Sequence, residues 1–360
     1  MLCKNKKSMK KIKLGLTIGD LNGIGPEVLI KAISDKRITD ICTPVIYASA
    51  KVVSYHRNIA KIDDFRYKIA MSGERVMDGR INLVNCWTEN VSINIGNVTE
   101  EGGKYAKLAL DSALYDLREG HIDALVTAPI NKEAMSKIDF GFKGHTDYLQ
   151  NYTNSDDAMM IMLDGDLRVA LVTHHIPLAK VSSTITKDLI LKSILNLNET
   201  LKKDFDKEKP LIAVLGLNPH AGDGGVIGKE EEEIIRPAIL DAKNRGVFAN
   251  GPFPSDSFWG TNNHKKYDAI LAMYHDQGLI PFKLLSFGRG VNYTGGLPFV
   301  RTSPDHGTGY DIVGKNIANH ESFLNAIFDA IDLAKNRKEY IEARKNAIEK
   351  RAKPSEEADE

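Results

Sequence analysis

Three histidines each come shortly after an apolar run that we predict to be a strand. The pairs are His175 after 168–173, His220 after 211–217 and His275 after 268–273. Open α/β sheets bind ligands beyond the carboxyl ends of their strands, so the three imidazoles are expected to converge. Three protein ligands with an open position are typical of a catalytic metal site, and neutral imidazole suits Zn²⁺ and similar cations. The pattern therefore predicts one divalent ion, Zn²⁺ or alternatively Mg²⁺ or Co²⁺.

Neighbouring residues leave alternatives open at this site. His174 competes with His175 as a ligand, and the two rings are expected on opposite sides if the strand continues. Asp256 and Asp276 are able to orient a ligand histidine or to contact the metal, but carboxylates are also common in turns. A single loop histidine is more often an ordinary polar residue, so the prediction depends on the set of three.

A second group of residues has the chemistry of an anion site. Gly-His-Thr-Asp at 144–147 begins a predicted helix, whose free N–H groups and dipole favour phosphate. The alternative is that Thr146 only caps the helix. Lys283, Asn292 and Arg301 together suit a phosphate or carboxylate, and the alternative is that they are solvated surface residues.

Two glycine-rich loops have the composition of candidate nucleotide sites. The turn at 19–27 is not G-x-G-x-x-G and lacks the Lys-Ser/Thr of a P-loop, so we reject the usual fingerprint there. A tight structural turn explains it as well as a ligand loop does. The loop at 306–315 carries Asp311, which can accept a hydrogen bond from a ribose hydroxyl as acidic residues do for NAD.

Composition excludes several classes of protein. Lys plus Arg equals Asp plus Glu, 48 against 48, which argues against a nucleic-acid binder that neutralises phosphates. The three cysteines, Cys3, Cys42 and Cys86, form no CxxC pair, which fits a reducing compartment and leaves no thiolate metal cage. Neither a secretory signal nor an apolar run of about 18 residues is found, so we expect a cytoplasmic protein without a membrane span.

Short apolar runs alternate with helical patterns over the whole length. This alternation predicts an α/β fold with a largely parallel sheet, and 360 residues suggest two domains that share a cleft. We predict a hairpin from 159–162 and 168–173 over the turn Asp-Gly-Asp. Helices are predicted from Pro26 and at 104–117, 185–201, 230–242, 322–335 and 339–351.

Several motifs, in this order along the chain, resemble the 4-hydroxythreonine-4-phosphate dehydrogenase family. They are Ile-Gly-Asp at 18–20 with Gly-Ile-Gly-Pro-Glu at 23–27, Thr-Ala-Pro-Ile-Asn-Lys at 127–132, Gly-His-Thr at 144–146, His-Ile-Pro-Leu at 175–178, Asn-Pro-His-Ala-Gly at 218–222, Gly-Pro at 251–252 with Ser-Asp at 255–256, Tyr-His-Asp-Gln-Gly at 274–278 and Thr-Ser-Pro-Asp-His-Gly-Thr at 302–308. The loop at 306–315 also resembles the adenosine-binding loop of isocitrate and isopropylmalate dehydrogenases. The sequence departs from the family at Leu21-Asn22, where Pro-Ala is usual, and at Asp147, where Glu is usual.

The resemblance implies two α/β domains with a cleft between them, as in isopropylmalate dehydrogenase. The first would be discontinuous, 10–135 plus 288–355, and the second would span 136–287, with 1–9 and 354–360 disordered. It further implies a homodimer whose active sites take residues from both subunits.

The resemblance also assigns roles to residues. The implied metal ligands are His175, His220 and His275, and the implied substrate contacts are His145, Thr146, Lys283, Asn292 and Arg301. Lys132 is a candidate acid–base group, although it is equally explained as a surface lysine, and Asp256 is a second candidate. For NAD, or alternatively NADP, the candidates are His306, Gly307 and Asp311.

The implied reaction is the NAD-dependent oxidation and decarboxylation of 4-phosphooxy-L-threonine to 3-amino-2-oxopropyl phosphate, in pyridoxal 5'-phosphate (vitamin B6) biosynthesis. One alternative is a family member that acts on threonate or erythronate phosphate, for which the same residues would serve. Another is a non-catalytic protein that binds a phosphorylated metabolite, which would need no metal. A metal hydrolase would use the same histidines but would leave the loop at 306–315 without a role.

Overall fold

The computed structural model describes residues 11–142 and 144–345, so the termini predicted to be disordered lie outside the described residues. The strands are β1 (Ile12–Thr17), β2 (Cys42–Ala48), β3 (Lys68–Ala70), β4 (Asn82–Asn85), β5 (Ala124–Thr127), β6 (Met159–Asp164), β7 (Leu167–Leu171), β8 (Leu211–Leu215), β9 (Phe248–Phe253), β10 (Ala269–Ala272), β11 (Val291–Gly295) and β12 (Val300–Pro304). The helices are α1 (Gly25–Ile33), α2 (Lys36–Ile41), α3 (Ala50–Ala60), α4 (Glu100–Arg118), α5 (Lys132–Ser136), α6 (His145–Thr153), α7 (Val181–Thr184), α8 (Lys187–Asp204), α9 (Arg236–Asn244), α10 (Ser255–Gly260), α11 (His275–Ser286) and α12 (Glu321–Arg344).

All of these strands belong to one sheet, in the order β3-β4-β2-β1-β5-β12-β11-β6-β7-β10-β8-β9. Most neighbours are parallel, and the antiparallel pairs are β6 with β7, β6 with β11, and β11 with β12. Helices between parallel strands cover the sheet, as crossover connections require. The mixed α/β fold is therefore confirmed.

The order of the strands separates two groups. β1 to β5 lie with β11 and β12 on one side of the β11–β6 pairing, and β6 to β10 lie on the other. The hydrogen-bonded sheet continues across this pairing. The domain boundaries at 135–136 and 287–288 stay a prediction.

Helix α4 illustrates how the sequence forms these layers. The hydroxyl of Thr99 accepts a hydrogen bond from the N–H of Gly102 at 3.0 Å and caps the first turn. The buried apolar residues of α4, which include Tyr105, Leu110 and Leu114, recur at helical spacing and so form one side of the helix. Burying each large apolar side chain contributes about 1.5–3 kcal/mol.

Two helix predictions were wrong in detail. The segments 322–335 and 339–351 are predicted as separate helices, but α12 runs without a break from Glu321 to Arg344, and 346–351 lies outside the described residues. Asn-Arg-Lys at 336–338 contains no glycine or proline to end a helix. The predicted helix 230–242 begins as a π-helical turn, Glu231–Ile235, before α9. The predicted hairpin is confirmed as β6 and β7.

Candidate active site

A cavity of roughly 260 Å³ lies over β5, β12 and β11, near the middle of the sheet. Eight of the residues with a predicted site role line it: Lys132, His145, Thr146, His175, Asn292, Arg301, His306 and Gly307. They come from helix starts, strands and loops far apart in the chain. The structure therefore brings four of the five predicted anion-binding residues, all except Lys283, together with one histidine of the predicted metal site.

Arg301 is the most buried charge in this cavity, with 2% of its surface exposed. Its Nε and Nη2 donate to the hydroxyl of Thr127 at 3.1 and 2.6 Å, and its Nη1 donates to the hydroxyl of Thr294 at 3.1 Å. Among residues 11–142 and 144–345, no carboxylate lies within 4 Å of this guanidinium. Burial lowers the pKa of Arg301 to about 9. A buried cation without a counter-charge is costly, so the site favours an anionic ligand.

Two further polar atoms of the cavity are enclosed and unpaired. Within the described ranges, Asn292 Oδ1 and His306 Nε2 are buried and have no hydrogen-bond partner. Buried polar atoms in folded proteins are nearly always hydrogen-bonded. Since both residues line the cavity with Arg301, a polar ligand there would satisfy them.

The start of α6 also lines the cavity, through Gly144, His145 and Thr146. Gly144 occupies the cap position, and within the described part of the chain no side chain caps the first turn, so the alternative that Thr146 caps the helix is wrong. The first N–H groups and the helix dipole are thus available to an anion. Burial, and then the charge of Arg301, lower the pKa of His145 well below its usual value. This imidazole is neutral at pH 7 and can serve as a hydrogen-bond partner.

Lys132 begins α5, whose first turn is capped by the side chain of Asn131. The ammonium group of Lys132 has no carboxylate within 4 Å in the described part of the chain. It is close enough to His175 to lower the pKa of that imidazole. Lys132 is therefore a free cation at the same end of the cavity as the predicted metal site.

The three predicted metal ligands follow three adjacent strands. β10 lies between β7 and β8 and is parallel to both, so His175, His275 and His220 all leave the sheet at the carboxyl edge. The rings of His175 and His275 are 6.4 Å apart between centroids. His220 lies in the loop Pro219–Gly225 that follows β8 and is exposed.

The chemistry of these residues fits a metal ion such as Zn²⁺. Two imidazoles on one tetrahedral ion bring their centroids to about 5 Å, close to the separation of His175 and His275. Asp276 Oδ1 lies 2.7 Å from His275 Nδ1, so Nε2 of that ring would be the ligating nitrogen, and a carboxylate is a common support for a ligand histidine. Burial is the largest of the effects that lower the pKa of His175, and a neutral imidazole is the form that binds metal.

The full set of three is not assembled as the side chains stand. Across the two described ranges, no group of three or more histidine, cysteine or acidic side chains is placed to hold an ion. The three-histidine metal site stays a prediction.

The condition on which His174 and His175 were expected to lie on opposite sides, a strand that continues through them, is not met. β7 ends at Leu171, so the strand does not continue to separate the two adjacent side chains. Instead, His174 and His175 both line the cavity, with ring centroids 4.9 Å apart and rings nearly perpendicular. Their Nδ1 atoms are 3.2 Å apart.

Several predicted residues lie elsewhere. Lys283 forms an ion pair with Asp305 at 3.0 Å and does not line the cavity. Asp256 is exposed in the first turn of α10, and Asp311 is exposed in the loop 306–315. None of these positions tests the roles that the resemblance implies for them.

The glycine-rich turn at 19–27 supports the loop at 306–315. The N–H of Ile24 donates to the carbonyl of Thr308 at 2.8 Å, and the hydroxyl of Tyr310 donates to the buried carboxylate of Asp20. A Cβ on Gly23 would lie 2.7 Å from the same carbonyl of Thr308, so only glycine permits this approach. The structural explanation of the first turn therefore has direct support.

Sequence reasoning missed the threonines that hold Arg301. Thr127 ends the buried strand β5, and Thr294 lies on β11. A polar residue at the carboxyl end of an apolar run was the available signal for Thr127. No local signal marks Thr294, because its contact with Arg301 depends on the pairing of β11 with β12.

None of the helices in the described ranges is both long enough and apolar enough to cross a membrane. The predicted cytoplasmic location stays a prediction.

The fold and the cavity define an α/β protein with a cationic pocket for a small anionic ligand, beside histidines that suit a metal. A sequence model of the family Pyridoxal phosphate biosynthetic protein PdxA matches residues 40–330. A 4-hydroxythreonine-4-phosphate dehydrogenase from Bacteroides thetaiotaomicron is 46% identical over 341 residues, which are 94% of this chain and 93% of that protein. The chain belongs to the PdxA family, as the motifs predicted.

Two other proteins extend this comparison. The crystal structure of 4-hydroxythreonine-4-phosphate dehydrogenase from Klebsiella pneumoniae has a TM-score of 0.79 and 34% identity, and the match covers 91% of this chain and 99% of that one. A protein from Oceanobacillus iheyensis, whose proposed activity is that of a D-threonate 4-phosphate dehydrogenase, is 36% identical over 90% of this chain and 98% of its own length. The family thus includes relatives named for two different phosphorylated acids.

Proposed function

We propose that this chain catalyses the NAD-dependent oxidation of 4-phosphooxy-L-threonine at its C3 hydroxyl, with loss of CO₂, to give 3-amino-2-oxopropyl phosphate. The observation that carries the proposal is Arg301, a buried cation without a carboxylate partner in the described residues, which faces a cavity next to histidines suited to a metal. The names of the relatives support the choice of substrate.

The phosphate binds at the end of the cavity formed by Arg301, Asn292 and the start of α6. The two threonine hydroxyls hold the guanidinium in one orientation, so its remaining N–H groups point at the anion. Charge-assisted hydrogen bonds of this kind are short and strong. Binding energy at the phosphate, remote from the reacting carbon, then positions the C3 hydroxyl for reaction.

The reacting end of the substrate lies toward Lys132 and His175. When bound, a divalent ion would lower the pKa of the substrate hydroxyl and NAD would accept the hydride. Lys132, which has no carboxylate partner among residues 11–142 and 144–345, would take up the hydroxyl proton as a neutral amine and return a proton, as an ammonium group, after CO₂ is lost. The loop 306–315 holds NAD, and Asp311 favours NAD over NADP because a carboxylate repels a 2′-phosphate.

The protein acts as a homodimer. An exposed apolar surface on and after α11, formed by Ile280, Leu284 and Phe287, supports this proposal, with Leu284 65% and Phe287 78% exposed. Contiguous apolar surface of this kind usually marks an interface. A site shared between subunits would also explain why the three histidines are not assembled within one chain.

We expect the double variant Ile280→Glu/Leu284→Glu to dissociate into monomers, because two carboxylates would be buried unpaired in the interface. Light scattering after size-exclusion chromatography measures the mass directly. Leu240→Glu, on α9 and also half exposed, is the control that should keep the wild-type mass. A double variant that keeps that mass would place the interface elsewhere.

The function is tested by absorbance at 340 nm with the purified protein, NAD, a divalent metal and 4-phosphooxy-L-threonine. We expect NADH to form, a chelator to abolish the signal and re-added metal to restore it. NADP should support a slower reaction than NAD. A rate unaffected by complete metal removal would contradict the metal-dependent mechanism.

Threonate and erythronate 4-phosphates form the informative panel, because the Oceanobacillus iheyensis relative is named for the first of them. A higher kcat/KM with either acid would reassign the substrate while leaving the site intact. Binding of the phosphorylated compounds without NADH formation under any of these conditions would favour a non-catalytic binding protein. Release of inorganic phosphate without NADH would favour a hydrolase.

A further inference from the structure

A buried amide side chain links the ends of two histidine-bearing strands. Gln277 is 8% exposed and lies two residues after His275, in the first turn of α11. Its Nε2 donates to the carbonyl of Gly216 at 2.5 Å, and its Oε1 accepts from the N–H of Met273 at 2.7 Å. Gly216 follows β8 and precedes His220 by four residues. One side chain thus fixes the end of β8 against the end of β10.

The third strand is joined to the same point. The N–H and the hydroxyl of Thr173 both donate to the carbonyl of Met273, at 3.1 and 2.7 Å. Thr173 follows β7 and precedes His175 by two residues. A continuous set of hydrogen bonds, Thr173 to Met273 to Gln277 to Gly216, therefore connects the three strand ends just before each histidine.

The loop that carries His220 is held by a buried acid. Glu231 is fully buried, and its Oε1 accepts from the N–H groups of Leu217 and Asn218, each at 2.7 Å. His220, Ala221 and Asp223 all have positive φ angles, between 45° and 54°. Left-handed backbone is unfavourable for residues with a side chain, and it persists only where the surrounding structure imposes it. The backbone conformation at His220 is therefore held by the surrounding structure, including the hydrogen bonds of Glu231.

We propose that Gln277 is a positioning residue that fixes the three histidine-bearing loops of one subunit relative to one another, whichever subunit's metal each histidine binds, with Glu231 fixing the loop of His220. The inference rests on the proposed function, since it assumes that these histidines bind the metal. An amide is required at this position because the link needs both a donor, for Gly216, and an acceptor, for Met273. Neither a carboxylate nor an apolar side chain supplies both.

The test is Co²⁺ binding to Gln277→Met, which keeps the side-chain length and removes both hydrogen bonds. We expect Co²⁺ affinity, measured by competition with a chromogenic chelator, to fall about tenfold or more, as for other residues that support metal ligands. The visible spectrum of the bound Co²⁺ should change, because the ligand geometry changes. The KM for the phosphorylated substrate should stay near the wild-type value while kcat falls, because the Arg301 end of the cavity is intact.

Tyr47→Phe is the matched control, since it removes the hydrogen bond from the Tyr47 hydroxyl to Asp116 at 2.7 Å, a buried link in another part of the sheet. It should lower the Tm without changing Co²⁺ affinity. Thr173→Val removes only one of the two bonds to Met273 and serves as a milder variant if Gln277→Met does not fold. Thr173→Val should also weaken Co²⁺ binding, but by less than Gln277→Met does.

The outcomes separate the inference from its premise. A lower Tm in a folded Gln277→Met or Thr173→Val variant, with wild-type Co²⁺ affinity and spectrum, would show that the link is only structural and would overturn the inference alone. A wild-type protein that binds no Co²⁺ would overturn the proposed metal site and the inference together.

Discussion

Arg301→Met is expected to weaken binding of the phosphorylated substrate by about a hundredfold or more, because charge-assisted hydrogen bonds contribute ~1.5–3 kcal/mol each and Arg301 supplies more than one. The same variant should unfold at an unchanged or higher temperature. Methionine fills a similar volume and removes a buried cation that has no carboxylate partner among the described residues. Calorimetric titration with substrate and thermal unfolding of the ligand-free protein measure the two effects separately.

NAD affinity is the internal control for this variant, because among the described residues the hydrogen bonds of the Arg301 guanidinium go to Thr127 and Thr294 and not to the proposed cofactor loop at 306–315. Equal loss of substrate and NAD binding, or a large drop in Tm, would show that Arg301 is structural. Arg301→Lys should recover only part of the affinity, since an ammonium group cannot reproduce the fixed, forked geometry that Thr127 and Thr294 orient.

Arg337→Met is expected to leave substrate affinity unchanged and to lower the free energy of unfolding by about 3–5 kcal/mol, the reverse of what is expected for Arg301→Met. Arg337 is as buried as Arg301 to within a few per cent, but its Nε and Nη2 donate to the two carboxylate oxygens of Asp204 at 2.6 and 2.9 Å. The hydroxyl of Tyr293 also donates to Asp204, at 2.6 Å. Removal of the arginine would leave a buried carboxylate with one neutral partner.

Chemical denaturation gives the free energy of unfolding for this variant, and substrate affinity of the folded fraction should match the wild type. The double variant Arg337→Met/Asp204→Leu should recover most of the lost stability, because it removes the orphaned charge as well. A single variant as stable as the wild type would contradict this account of the ion pair. Together, the two variants distinguish an arginine that binds the ligand from an arginine that stabilises the fold.

Much of the architecture could be predicted because it depends on local patterns. Apolar runs such as 211–217 and 268–273 predicted β8 and β10, since parallel strands covered on both faces are apolar throughout. The hairpin of β6 and β7 followed from two apolar runs around Asp-Gly-Asp. The equivalent placement of three histidines after three such runs is confirmed by the topology, because strand ends in one parallel sheet lie at one edge.

What the tertiary structure decided involves pairs of residues far apart in the chain. The sequence could not show that Arg301 donates a hydrogen bond to the hydroxyl of Thr127, 174 positions away. Nor could it show that Lys283 forms an ion pair with Asp305 and stays outside the cavity. Whether a cation has a partner depends on how strands and helices pack, and no local pattern encodes that. The sequence by itself determined the elements, the family and the residue types of the site. Packing alone determined which buried cation lacks a carboxylate partner in the described residues, because an ion pair forms only where the fold brings two oppositely charged side chains together.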